Sequence, residues 1–167
     1  MDVRRVTERD VEALWKLRLE ALESEPEAFA EAPEEHRRIS MEAYAERIRA
    51  SNGENFVIGA FIDSELVGMV GFYREQRLKR RHCGGIWGMF VAVSSRGRGV
   101  GAALLQAALA EARKISGLRR VHLDVSITQS AARKLYASAG FKSYGIESEA
   151  LQVDETYLDQ EHMILRL

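Results

Sequence analysis

The sequence predicts one mixed α/β domain built on a mostly antiparallel sheet with helices packed against it. Three observations lead there. The apolar period switches along the chain between two and about 3.6, giving the order strand, two helices, three strands, helix, strand, helix and two strands. Two β-branched and aromatic runs flank a polar turn at 63–65, which reads as a hairpin. The 167 residues are 46% apolar and 29% charged with two prolines, so they hold one globular core and neither repeat nor linker.

Each element follows from a local pattern. Residues 3–6 form a short strand, after which Thr7 and Asp10 have the spacing of a capping box. Val11, Leu14, Trp15, Leu19 and Leu22 then make one apolar stripe on a helix that ends before Pro26. Ser40 caps a second helix carrying Tyr44 and Ile48, stopped by the cluster at 51–53. Strands follow at 56–62, 66–73 and 85–93, and the chain changes from strand to helix across 94–99. Val100, Leu104, Ala107 or Ala108, and Ile115 align on a helix that Gly117 can terminate. Val121, Leu123 and Val125 alternate with His122, Asp124 and Ser126 as a strand, and 130–139 form a helix ending at Gly140. Strands at 141–146 and 162–167 close the domain, with the acidic stretch 147–161 expected as the connection between them.

Composition excludes several classes. Twenty-four Lys and Arg against 25 Asp and Glu leave a net charge of −1, so no overall field attracts nucleic acid or anionic lipid. Cys83 is the only cysteine, which removes an internal disulfide and makes a reducing cytoplasm the expected location. The first ten residues are charged where a secretion signal needs an apolar stretch, and the apolar segment 100–110 is interrupted by Gln106 and too short to span a bilayer. His36, His82, His122 and His162 show no metal-ligand spacing, so no metal is expected.

The segment 91–102 carries the chemistry. It runs from a strand through Arg96-Gly97-Arg98-Gly99 into a helix, and a helix N-terminus with glycines before it presents unpaired amides and partial positive charge to an anion. No Lys-Ser or Lys-Thr follows, so it is no Walker loop. Gly97, Gly99 and Ala102 fit a dinucleotide fingerprint, with Asp124 lying 22 residues beyond. The helices and hairpin preceding them are the wrong context for a Rossmann unit.

Arg96-x-x-Gly99-x-Gly101 resembles the acyl-CoA-binding motif of the GNAT superfamily of N-acetyltransferases, written Gln/Arg-x-x-Gly-x-Gly/Ala. Gln129-x-x-Ala132-x-x-Leu135-Tyr136 followed by Gly140-Phe141 resembles a second motif of that superfamily, with Gln in place of its usual Asn. The element order agrees over residues 3–167, so the resemblance implies a single GNAT acyl-CoA N-acyltransferase domain across 1–167, its sheet splayed in the middle. It also implies acetyl-CoA as co-substrate. Arg96, Gly97, Arg98, Gly99, Val100, Gly101 and Ala102 would receive the pyrophosphate on backbone amides, and Val91, Ala92 and Val93 would run beside the pantetheine, as an added strand does. Gln129, Ala132 and Tyr136 share one helix face beside the opening.

An acetyl transfer to an amine needs an acid, an oxyanion donor and a base. Tyr136 is the expected acid for the leaving thiolate and the amide of Val91 the oxyanion donor. The strand at 86–90 lacks the glutamate that many relatives carry there, and Glu35 is the expected base, with Asp124 and His82 as alternatives. Residues 20–35 hold seven glutamates and 147–161 six acids, with no Lys or Arg in either, which favours a cationic amine acceptor. The basic stretch 74–82 is expected as a solvated turn. The acceptor is a small-molecule or peptide amine, a homodimer is possible as in relatives, and the alternative is a non-catalytic acyl-CoA-binding or sensory module.

Overall fold

The computed structural model describes residues 1–167. After the edge strand β1 (Asp2–Arg5), the Asp10 carboxylate turns back and accepts the Thr7 amide and hydroxyl, each at 2.9 Å. Two guanidinium nitrogens of Arg4 donate to the same carboxylate, each at 2.8 Å. This cap launches a single 3-10 turn (Glu8–Asp10) that passes directly into α1 (Val11–Ser24). α1 buries Val11, Leu14, Leu17, Ala21 and Leu22 at three- and four-residue steps, and Arg18 lies buried among them.

The chain then departs from expectation. A short helix, α2 (Pro33–Arg37), interrupts the acidic stretch. Pro33 supplies the fixed φ of a first helical position, and the Glu35 carboxylate accepts the Ala32 amide at 2.8 Å. Next come α3 (Met41–Arg49), with Ser40 Oγ accepting the Ala43 amide, and the hairpin of β2 (Asn55–Ile62) and β3 (Glu65–Arg74). β4 (Cys83–Val91), α4 (Val100–Arg113), β5 (Arg120–Ser126) and α5 (Ser130–Ser138) follow in the expected order.

The second departure is at the C-terminus. The stretch 147–161 is no loop: it forms the outer halves of β6 (Lys142–Val153) and β7 (Thr156–Arg166), which pair through Leu151 with Leu158 and Val153 with Thr156. Cross-strand apolar pairs such as Leu151 and Leu158 outweigh the local acidic composition.

The sheet order is β1-β2-β3-β4-β5-β7-β6. Every neighbouring pair is antiparallel except β4 with β5, which pair in parallel. That ladder joins only Cys83, Gly84 and Gly85 to Arg120, Val121 and His122, although β4 continues to Val91 and β5 to Ser126. Two residues beyond Gly85, β4 bulges: Gly71 faces Trp87 but Met69 faces Phe90, so one extra residue sits on β4, at Gly88 with φ +62°. The sheet therefore opens in its middle. α4 and α5 cover one face over a core that includes Phe72, Leu104, Leu105 and Leu123, and α1 and α3 cover the other over Leu14, Val57, Met69 and Phe90. No helix is long and apolar enough to cross a membrane.

The Arg4 guanidinium holds the Asp10 carboxyl well below the usual carboxylate range. Its stabilising contribution is therefore complete above the unfolded-chain pKa, about 3.9, and is lost as pH falls further. Asp10→Ala is expected to cost about 1–2 kcal/mol at pH 7. In urea unfolding, the gap between wild type and variant should narrow as pH is lowered from 5 towards 2.

Candidate active site

The opening between β4 and β5 leads to the head of α4. Val93 to Ser95 make one 3-10 turn, and the chain then rises through Gly97 at φ +73° and Gly99 at φ +77° before Val100 starts the helix. The left-handed conformation at Gly99 turns the backbone so that successive amides face outward. The amides of residues 97–102 have no hydrogen-bond acceptor in the protein; the first helical bond is from the Ala103 amide to the Gly99 carbonyl at 3.0 Å. A Cβ built on Gly97 or Gly99 would meet no heavy atom within 4 Å, so the space before these amides is open. A run of unpaired donors at the positive end of a 14-residue helix is a seat for a multiply charged anion such as a diphosphate.

From this cradle a groove of about 440 Å³ follows β4 between the parted strands. Of the residues expected to bind the cofactor, Val91, Arg96, Gly97, Gly99, Val100, Gly101, Ala102, Gln129, Ala132 and Tyr136 line it. Leu135 of α5 comes within 3.4 Å of a Cβ position on Gly101, which docks α5 against the first turn of α4.

Three details differ from the sequence expectation. The Arg96 amide donates to the Val93 carbonyl at 3.3 Å, so the amide cradle begins at Gly97. The Ala92 amide donates to Val67 of β3 at 2.9 Å and Val93 has left the strand, so neither residue offers a strand edge to a ligand. Because amides alternate in direction along a strand, Val91 points its N–H to the open side. Arg98 and Val93 are exposed and do not line the groove.

Arg96 itself lies across the groove. Its Nε donates to the Val91 carbonyl at 3.0 Å, an Nη2 pairs with Glu25 at 2.8 Å, and its guanidinium sits 5.6 Å from the centre of the Phe90 ring. Glu25 and Phe29, from the segment after α1, thereby close one side of the groove.

Tyr136 on α5 is buried against Phe141, with ring centroids 6.0 Å apart. Its hydroxyl has no partner in the protein, yet it is not sealed from solvent, so its tip reaches the groove. Burial pushes its pKa above the ordinary tyrosine value. On the opposite wall Asp124 of β5 receives His162 Nδ1 at 2.5 Å, while His162 Nε2 is 3.3 Å from Glu147 and the ring stacks on Tyr144. Nearby, Tyr73 Oη and His122 Nε2 are 2.9 Å apart, and burial holds His122 below the ordinary imidazole range.

Glu35, the expected base, caps α2 and does not line the groove. His82 is exposed in the turn before β4, its carbonyl bonded to the amides of Arg119 and Arg120. That turn lies at the end of β4 remote from the cradle, and its Arg81, together with Arg74 at the end of β3, pairs with Glu54. Four of the seven glutamates of 20–35 have basic partners, Glu23 and Glu34 with Arg37, Glu25 with Arg96 and Glu31 with Arg18. Sequence reasoning missed Glu25, Trp87 and Arg18. A lone arginine inside the apolar stripe of α1 was the legible signal for the last.

The model of the acetyltransferase (GNAT) family matches residues 14–141. Among solved structures, an acetyltransferase of the GNAT family from Streptococcus pneumoniae superimposes with a TM-score of 0.90 at 23% identity over 99% of each chain. Ribosomal-protein-alanine N-acetyltransferase from Brucella melitensis gives 0.84 at 24% identity over 100% of each chain. YncA from Salmonella typhimurium, solved with its cofactor acetyl-CoA, gives 0.87 at 19% identity over 100% of this chain and 94% of that one.

The Trp87 indole lies flat over Gly71, where a Cβ would stand 2.0 Å from its Cε2. Gly71→Ala should displace the ring and destabilise the fold by about 1–3 kcal/mol. The measurements are the urea midpoint and a change in tryptophan emission; an unaltered spectrum would mean that Gly71 does not set the position of the indole.

Proposed function

The chain belongs to the GNAT acetyltransferase family, and we propose from that premise that it moves an acetyl group from acetyl-CoA to a primary amine by direct attack. The observation that carries this reading is the run of unpaired amides at 97–102 where the groove between β4 and β5 begins. Its open space and donors suit the diphosphate of a coenzyme A thioester.

Acetyl-CoA, when bound, supplies the acetyl group as an activated thioester. The amides of 97–102 hold the diphosphate, and the first turn of α4 adds its partial positive charge. The outward N–H of Val91 stabilises negative charge on the carbonyl oxygen. Arg96, now bonded to the Val91 carbonyl, swings aside for any group that pairs with this edge. Asp124, held by His162, accepts the proton of the attacking amine, replacing Glu35 in the base role. Tyr136, kept protonated by burial, donates its proton to the departing sulfur. A sensory role would require no such pair of proton-transfer groups on opposite walls.

In a thermal-shift assay, acetyl-CoA at about 100 times its Kd should raise Tm by roughly 5–10 °C. Gly99→Val places a β-branched side chain at φ +77° in the cradle and should abolish that rise; full retention would move the diphosphate elsewhere.

Tyr136→Phe and Asp124→Asn should each lower kcat by about 10²-fold or more while preserving the acetyl-CoA shift. Because burial raises the Tyr136 pKa, wild-type kcat should show no alkaline fall below about pH 10. A fall between pH 8 and 9 that disappears in Tyr136→Phe would show the hydroxyl titrating lower than its burial dictates.

A further inference from the structure

A second cavity of about 510 Å³ lies between α1, α3 and the β2–β4 portion of the sheet, with Trp87 as the wall it shares with the groove. Most of its surface is apolar, from Leu14, Ile48, Val57 and Phe72 together with the Trp87 ring. Three ionic groups face it: Arg18, Glu31 and Arg47.

Arg18 is the unusual one. It is 7% exposed, its guanidinium lies 4.5 Å from the centre of the Phe29 ring, and its Nε and Nη2 both donate to one Glu31 oxygen, at 3.0 and 2.9 Å. Nη1 is buried and has no acceptor; Trp15 Nε1 and His36 Nδ1 in the same cluster are buried without partners too, but Nη1 alone belongs to a guanidinium. Leaving a charged donor unsatisfied in the interior costs stability, so such a group calls for a partner, whether an ordered water, an ion or a ligand. The position of Nη1 says which ligand. It stands 3.6 Å from a Cβ position on Gly88, the bulge residue that lines the acetyl-transfer groove. It therefore sits at the seam between the two cavities.

We infer that this cavity is the acceptor subsite, and that it takes a free amino acid with an apolar side chain, whose carboxylate is received by Arg18 Nη1. Glu31 already balances the Arg18 charge, whereas Arg47 is matched by no acid, so the cavity carries one positive charge in excess. An oxygen acceptor bearing one negative charge satisfies both the orphaned N–H and that excess. The apolar walls take the side chain, and the amine is left facing the groove and Asp124. The inference rests on the acetyltransferase reading for its chemistry, but binding alone can test it.

The probes are L-leucine, L-methionine and L-phenylalanine, each compared with its carboxamide, which keeps the amine and side chain and removes the negative charge. Isothermal titration to the purified protein is expected to show the acids binding at least tenfold more tightly than the amides. Arg18→Lys keeps the charge beside Glu31 but lacks the forked second nitrogen, and it should bring the two series within about twofold of each other. Its unchanged thermal shift with acetyl-CoA would verify that it folds. If it does not fold, Arg47→Gln should still narrow the preference.

Equal binding of acids and amides by wild type, or binding of neither, overturns the inference, as does tighter binding of a peptide N-terminus of the same first residue. A separate assay of coenzyme A release distinguishes the two readings. Selective binding of the acids without release would leave the subsite standing and sink the acetyltransferase reading; release from amines without acid selectivity would do the reverse.

Discussion

The parting of β4 from β5 is the constraint on which the rest of the molecule depends. After three parallel pairs the ladder ends, and the extra residue at Gly88 turns β4 away from its neighbour. Backbone groups that a closed sheet would consume are left facing a groove. The Val91 amide has no strand to bond to on that side because β5 is no longer there. The same divergence lets Asp124 and Tyr136, which belong to separate elements, look into one space. A continuous ladder to Val91 would abolish the groove without altering a single side chain.

The second requirement is a concentration of donors at the end of that groove. Two glycines in the left-handed region delay the start of α4 and leave its first amides unbonded and outward-facing. The donors therefore cost nothing to reorganise when an anion arrives, which is why a preformed helix terminus binds phosphate so effectively. Arg96 ties the two features together. Its amide and side chain bond to Val93 and Val91, and its ion pair with Glu25 fastens the segment after α1 across the groove.

The other face of the bulge has a different character. Arg18, Glu31, Phe29 and the His36 ring between Trp15 and Tyr44 form a packed polar cluster under the α1–α2 corner. Its ion pair and ring contacts hold the corner in place, while three of its nitrogens, Trp15 Nε1, His36 Nδ1 and Arg18 Nη1, are buried without a partner and Arg18 Nη1 is turned towards the bulge. Gly71, by lacking a side chain, lets Trp87 lie as a partition between this cluster and the groove. The molecule thus presents one cavity with donors for a diphosphate and another suited to an apolar anion, meeting at a single strand irregularity.

The features legible in the sequence were those governed by neighbours along the chain. Periodicity placed α1, α4, β2 and β3, and the glycines at 97 and 99 marked the start of α4, because φ and helix initiation are decided within a few residues. The spacing of Gln129, Ala132 and Tyr136 put them on one helical face for the same reason. What the sequence could not carry was pairing at a distance. Leu151 and its neighbours become strand only because β7 lies alongside, so an acidic stretch read as a loop is half of a hairpin. Asp124 meets His162, 38 residues away, through the register of β5 on β7. Glu35 looked suited to proton transfer until the fold placed it as a helix cap, and Arg18 looked like an interruption of a stripe until its neighbours accounted for all but one of its nitrogens. Local sequence determined most of the elements and the glycine-marked start of α4 by itself; only the tertiary structure decided the pairing of the outer halves of β6 and β7 and which charged groups share a cavity, since those depend on strand register and on where the sheet splits.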